Sequence, residues 1–211
     1  MRLVETPLGP AGVHRDGPDD GPDGRPRGTL VLGHGAGGGV GSADLTAVTA
    51  AAAGAGWRVL RVAQPWQVAG RRIAPAPPRL DTAWTAVLDA LRPELAGPLV
   101  LGGRSAGARV ACRTATALRA DGVLALAFPL HPPGRPERSR AAELAAAGVP
   151  LGVVQGATDA FGGPAEVEAA LAGVPGASVT AVPGDHSLGR DPGAVATAAL
   201  AWLAHLAAVR T

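Results

Sequence analysis

The sequence predicts a doubly wound α/β fold: a mostly parallel sheet with helices on both faces and no cap domain. Three observations carry this. From residue 29 onward, short apolar runs alternate with Ala- and Leu-rich helical patterns. The runs are apolar on both faces, as in strands of a sheet that is covered on both sides. The strand-to-helix connections are short, and the longest extra segment, QPWQVAGRRIAPAPPR at 64–79, is too short for a helical cap and reads as a Pro-rich flap near the site.

Taken in order, residues 1–28 read as an N-terminal hairpin and loop, with the turn-rich stretch RDGPDDGPDGRPRG at 15–28. Residues 29–209 form the core of a single domain spanning 1–211. TLVLGH (29–34) is a strand. SADLTAVTAAAAGAG (42–56) is a helix with Ser42 in the N-cap position and Gly54 and Gly56 near its end. Strands follow at 57–64, 98–104, 122–130, 150–156 and 177–184. Helices are predicted at 80–95, 106–120, 137–148, 164–173 and 191–209. There is no internal repeat and no second domain boundary. In such a sheet ligands bind at the carboxyl ends of the strands, so chemistry is sought just after each strand.

Composition excludes several functions. The chain has 211 residues, 47% of them apolar, enough for one domain with a sizeable core. Its pI of 9.8 suggests a nucleic-acid binder, yet net charge is only +2. All basic residues are Arg, whose high pKa lifts the pI steeply, and they are scattered without a basic run, so no nucleic-acid partner is expected. No apolar run approaches the roughly 18–20 residues of a membrane span, so no membrane partner is expected. The N-terminus, MRLVETPLGP, has no secretory pattern, and a cytoplasmic location is the expectation. The one cysteine, Cys112, falls on a helix, excludes an internal disulfide and reads as a buried inert thiol.

Gly103-Arg104-Ser105-Ala106-Gly107 is a G-x-S-x-G motif. Chance in a Gly-rich chain gives roughly 0.1 such matches, so the motif alone is moderate evidence. Its context is stronger: it follows the strand PLVLGG and opens a helix, as a nucleophile elbow does. Ser105 is the expected nucleophile. The base should follow the acid in the chain. His14 and His34 precede Ser105, and His205 lies within the last helix. His131 and His186 remain. His186, in the loop GDHSLGR after the last strand, is the expected base. For the acid, Asp159 leaves the end of the strand PLGVVQG. Glu137 lies too far beyond its strand, and Asp185 sits beside His186 in sequence, where side chains diverge. Asp159 is the expected acid, holding the imidazole tautomer.

His34-Gly35-Ala36-Gly37-Gly38-Gly39 follows the first core strand. The backbone N–H groups of Ala106 and Ala36, with Gly37 as a further candidate, are the expected oxyanion donors. The same segment fits a dinucleotide fingerprint, Gly33-x-Gly35-x-x-Gly38, but the acid expected after the next strand is missing. A P-loop is excluded because the chain has no Lys. His131 emerges on the same face as Ser105, in a loop stiffened by Pro132 and Pro133, and is expected to contact substrate, as is Arg104. No cofactor and no metal are expected. The oligomeric state is not legible.

Six segments together carry a resemblance: LGHGAGGG (32–39), PWQVAGRR (65–72), GGRSAGAR (102–109), FPLHPPGRPE (128–137), QGATDAFG (155–162) and GDHSL (184–188). Over roughly residues 29–209 the chain resembles a small cap-less branch of the α/β-hydrolase superfamily. That branch is similar to dienelactone hydrolases and to the hydrolase-like domain of an animal chromatin-complex subunit. The resemblance implies the fold and the triad, but no named reaction. The branch often has Met where this chain has Ala106; the backbone donor is the same. The function expected is a serine hydrolase (esterase or thioesterase) that cleaves a small-molecule acyl substrate through an acyl-enzyme. The alternative is a catalytically silent interaction module.

Overall fold

A computed structural model of the chain describes residues 1–18 and 26–209. The sheet has eight strands: β1 (Arg2–Val4), β2 (Ala11–Asp16), β3 (Thr29–Gly33), β4 (Arg58–Ala63), β5 (Leu99–Arg104), β6 (Gly122–Leu126), β7 (Leu151–Gly156) and β8 (Ala177–Val182). Their spatial order is β1-β2-β4-β3-β5-β6-β7-β8. The six strands from β3 to β8 are parallel, and β1 and β2 add an antiparallel edge. This is the mostly parallel, doubly wound architecture that the alternating pattern predicts.

The described residues include seven α-helices, α1 (Ala43–Gly54), α2 (Pro65–Val68), α3 (Pro77–Leu91), α4 (Ala106–Thr114), α5 (Ala141–Ala145), α6 (Pro164–Ala170) and α7 (Pro192–Val209), the last of them following β8. The period-2 alternation of strand side chains divides the core into two layers. Val31, Leu101, Val123 and Val153 face a cluster with Trp84, Val110, Leu144 and Val167 from α3 to α6. Leu30, Leu32, Val100, Leu124 and Val154 face a second cluster with Leu45 and Val48 of α1 and Trp202, Leu203 and Leu206 of α7. Trp202 lies over Gly152 of β7; a Cβ there would come within 2.5–2.6 Å of the indole.

Several boundaries differ from the sequence reading, for local reasons. The strand expected at 122–130 ends at Leu126, because Ala127 turns at φ 45°. The helix expected over 137–148 is a 3₁₀ turn at Pro136–Arg138 followed by the short α5. The helix expected over 106–120 stops at Thr114, and turns carry the chain on to Arg119, at φ 56°. The flap expected at 64–79 is partly helical: Pro65 opens α2, and Pro77 and Pro78 open α3, where a missing N–H costs nothing. Ser42 holds the N-cap position of α1, but its hydroxyl makes no capping hydrogen bond. Of the loop expected at 15–28, Arg15 and Asp16 belong to β2, and residues 19–25 lie outside the described residues.

The sequence reading found no apolar run of membrane-spanning length, yet the 18-residue α7 has the length and hydropathy to cross a membrane. Here its Val195, Ala199, Trp202, Leu203 and Leu206 are buried in the second core layer, and about a third of the helix is buried in all. Cys112 is fully buried, and burial pushes its thiol up to about 12, the inert state expected of it.

Candidate active site

The carboxyl ends of β5, β7 and β8 bring three side chains together. Ser105 follows β5 and precedes α4, at φ 54° and ψ −109°, a sparsely allowed conformation for a residue with a Cβ. The flanking glycines make the turn possible. A Cβ on Gly103 would sit 2.3 Å from the Gly33 carbonyl oxygen, and one on Gly107 2.4 Å from the same atom. β3 and β5 pair with Gly33 opposite Gly103, so any side chain at those positions would be driven into backbone.

The Ser105 hydroxyl donates to His186 Nε2 at 2.9 Å, and His186 Nδ1–H donates to Asp159 Oδ2 at 2.8 Å. The carboxylate can only accept, which puts the imidazole hydrogen on Nδ1 and leaves Nε2 as the acceptor for the serine proton. Asp159 is buried, whereas His186 is half-buried. Asp185 is exposed and turned away: its Oδ1 accepts from the backbone and the hydroxyl of Ser187, and this pairing holds its carboxyl below the usual range.

Two residues that the sequence reading missed complete this corner. Gln155, fully buried on β7, donates from Nε2 to Asp159 Oδ2 at 2.9 Å and to the Gly162 carbonyl at 2.8 Å, and its Oε1 accepts from Phe128 N–H. Phe161 donates its N–H to Asp159 Oδ1 at 2.8 Å, while its ring stacks on His186 with centroids 4.1 Å apart. One signal for Gln155 was present in the sequence, as a lone polar side chain in an otherwise apolar strand.

The loop after β3 lies beside the elbow because β3 and β5 are neighbours. Ala36 and Gly37 are exposed on it. Ala106 is the first residue of α4, so its N–H has no acceptor within the helix. His34 braces this loop. It is buried, its Nε2 accepts from the Gln64 N–H at 3.1 Å and its Nδ1–H donates to the Gly35 carbonyl at 2.9 Å. Burial lowers its pKa, which favours the neutral ring that this pattern requires.

Arg104 and His131, the expected substrate contacts, are both engaged inside the protein. Arg104 reaches the fully buried Asp44 of α1, Nε to Oδ2 3.4 Å, and its guanidinium packs where side chains on Gly35 and Gly38 would stand. His131 is buried, with Nδ1 bonded to the Pro132 carbonyl and Nε2 3.0 Å from Glu166 of α6. The first contact and then the second raise its pKa. Neither residue lines the cavity under the flap or the small gap between it and Ala106. Among the described residues, no group of three or more His, Cys, Asp or Glu is arranged to hold a metal ion.

Residues 26–208 match the model of a family described as an alpha/beta hydrolase domain. The chain is similar to an α/β serine hydrolase without a lid from Xanthomonas campestris, at 21% identity over 97% of this chain and 93% of that one, with TM-score 0.77. It is also similar to Est1E of Butyrivibrio proteoclasticus, solved with ferulic acid, at 15% identity over 99% and 100% of the two chains, TM-score 0.81. An α-β serine hydrolase homologue from Coxiella burnetii aligns at 17% identity over 97% and 96%, TM-score 0.74. No curated protein matches the sequence.

Proposed function

Given that the chain belongs to the alpha/beta hydrolase family, we propose that it is a serine hydrolase that cleaves a carboxylic ester, thioester or related acyl bond of a small molecule through an acyl-enzyme on Ser105. The observation that carries this reading is the unbroken chain Ser105–His186–Asp159, with links of 2.9 and 2.8 Å, set on a strained strand-to-helix turn.

His186 Nε2 takes the Ser105 proton as Oγ attacks the carbonyl carbon. Asp159, fixed by Gln155 and Phe161, holds the ring in the required tautomer and stabilises the imidazolium. The Ala106 N–H, with that of Ala36 or Gly37, stabilises the oxyanion. His186 then protonates the leaving group, and water, activated by the same base, cleaves the acyl-enzyme. The reading uses only side chains and backbone groups of this chain.

In this reading Arg104 supports the oxyanion loop and does not touch substrate: its guanidinium is wedged between Asp44 and Gly35–Gly38. His131 ties the loop after β6 to α6. The experiment is covalent labelling with a fluorophosphonate. The intact chain should label and Ser105→Ala should not; equal labelling of the two would sink the assignment.

A further inference from the structure

The flap between β4 and α3 encloses a cavity of about 370 Å³. Its walls are mixed: Leu8, Trp66, Ile73 and Pro75 supply apolar surface, Gln64, Arg71 and Arg79 supply about as much polar surface, and no carboxylate lines it. Neither arginine pairs with an acidic side chain among the described residues, although most arginines nearer the core do, such as Arg61 with Asp16 and Arg113 with Asp81. Ile73 is 84% exposed, leaving apolar surface that a bound molecule would cover.

The cavity adjoins the reaction centre. Gln64, Trp66 and Ala74 belong both to it and to a narrow apolar slot that ends at Ala106 and Gly107, directly after the nucleophile. Gln64 is also the residue whose N–H holds His34 beneath the oxyanion loop. That slot holds only about 10 Å³, so it is a shared wall and not a channel: a substrate with its carbonyl at Ser105 would have to pass outside it, over the flap, to reach the two guanidinium groups.

We propose that this cavity takes an anionic group of the substrate, a carboxylate or a phosphate, remote from the scissile carbonyl. Two guanidinium groups with no acidic partner among the described residues favour an acceptor-only, negatively charged partner, and their planar forks suit both carboxylate and phosphate. The apolar share of the wall, Leu8, Trp66, Ile73 and Pro75, suits a short hydrocarbon spacer. This deepens the hydrolase reading and rests on it.

The test uses probes of matched acyl length: 4-nitrophenyl hexanoate, the mono-4-nitrophenyl ester of adipic acid, and hexanoyl-coenzyme A. Either the adipate ester or the coenzyme A thioester should be turned over with higher kcat/KM than the neutral ester, and which one wins identifies the anion. Arg71→Gln and Arg79→Gln should each lower that kcat/KM by about threefold, and the double variant by about tenfold, as partly exposed charge contacts do. Hexanoate ester turnover should stay within about twofold, and the preference should weaken as salt is raised. A preference for the neutral ester, or one that survives the double substitution, overturns the proposal. Calorimetric binding of adipate and of coenzyme A to Ser105→Ala, with and without the two arginines, needs no turnover. Arg-dependent binding to Ser105→Ala, together with failure of the intact chain to label with fluorophosphonate, would keep the anion site and sink the hydrolase reading. Labelling without Arg-dependent discrimination or binding would do the reverse.

Discussion

Asp159 accepts hydrogen bonds from three parts of the chain: the His186 ring, the Gln155 amide and the Phe161 backbone. The first fixes the tautomer, and the other two fix the carboxylate itself. Asp159→Asn should lower ester turnover by about 10³–10⁴-fold, because an amide can present its NH₂ to Nδ1 and impose the wrong tautomer. Asp185→Asn should have a much smaller effect, because that side chain bonds only within its own loop; a reversal of the two results in a turnover assay would show that the acid is misassigned. Gln155→Leu leaves the Phe128 N–H unpaired in the interior and removes one donor from Asp159. It should cost about 1–3 kcal/mol in a denaturation experiment and slow fluorophosphonate labelling without abolishing it. Unchanged labelling kinetics would deny Gln155 a positioning role. Ser105, Asp159 and His186 were legible because each follows a strand and the order of strands constrains their roles. Gln155 showed only as a lone polar side chain in an apolar strand, and Phe161 not at all, because the partners each one finds are set by packing that no local pattern encodes. The partners of Arg104 and His131 were hidden for the same reason.

At the level of elements, the turn from β5 into α4 depends on contact between two backbones. Gly107→Ala, in the first turn of α4, places a methyl 2.4 Å from the Gly33 carbonyl oxygen of β3, an inner strand of the sheet with little freedom to yield. A loss of at least about 2 kcal/mol is expected from such overpacking, together with loss of labelling. Gly54→Ala, at the end of α1 with no atom within 4 Å of the new methyl, should be neutral or stabilising by up to about 1 kcal/mol. If thermal melts show both variants alike, the close approach of α4 to β3 is not what the glycine serves. Core strands and long helices were legible because their apolar pattern is continuous. Short elements were not: α2 is four residues long and α5 five, below the length at which periodicity can be seen. The early stop of β6 turns on Ala127 at positive φ, a conformation that alanine does not advertise.

Across the whole molecule, the site is assembled from the ends of strands far apart in sequence, so its geometry depends on how the loops after β6 and β7 are tied down. His131 makes one such tie. It donates its backbone a few residues beyond β6 to Phe161, whose own N–H and ring contact Asp159 and His186, since His131 N–H bonds to the Phe161 carbonyl at 3.0 Å. Its ring then reaches Glu166 of α6. With Nδ1 donating to the Pro132 carbonyl, Nε2 can donate to the Glu166 carboxylate only when the ring is charged. The His131 pKa is accordingly raised, first by Pro132 and then by Glu166, and that of Glu166 is lowered, first by the Gly163 backbone N–H and then by His131. A base with a raised folded-state pKa stabilises the fold fully below its ordinary value of about 6.5, and the contribution is lost as pH rises through the raised value. The carboxylate works the other way, its contribution present above about 4.3 and lost as pH falls through its lowered value. The two together define a window, so the melting temperature of the intact chain should exceed that of His131→Gln most near about pH 5.5–6 and least near about pH 9. Fluorophosphonate labelling should persist in the variant, since Ser105 and His186 keep their bond. A difference in melting temperature that is flat across that range would mean that the His131–Glu166 contact carries no charge, and that the loop is held by the His131 N–H bond to Phe161 and by packing alone.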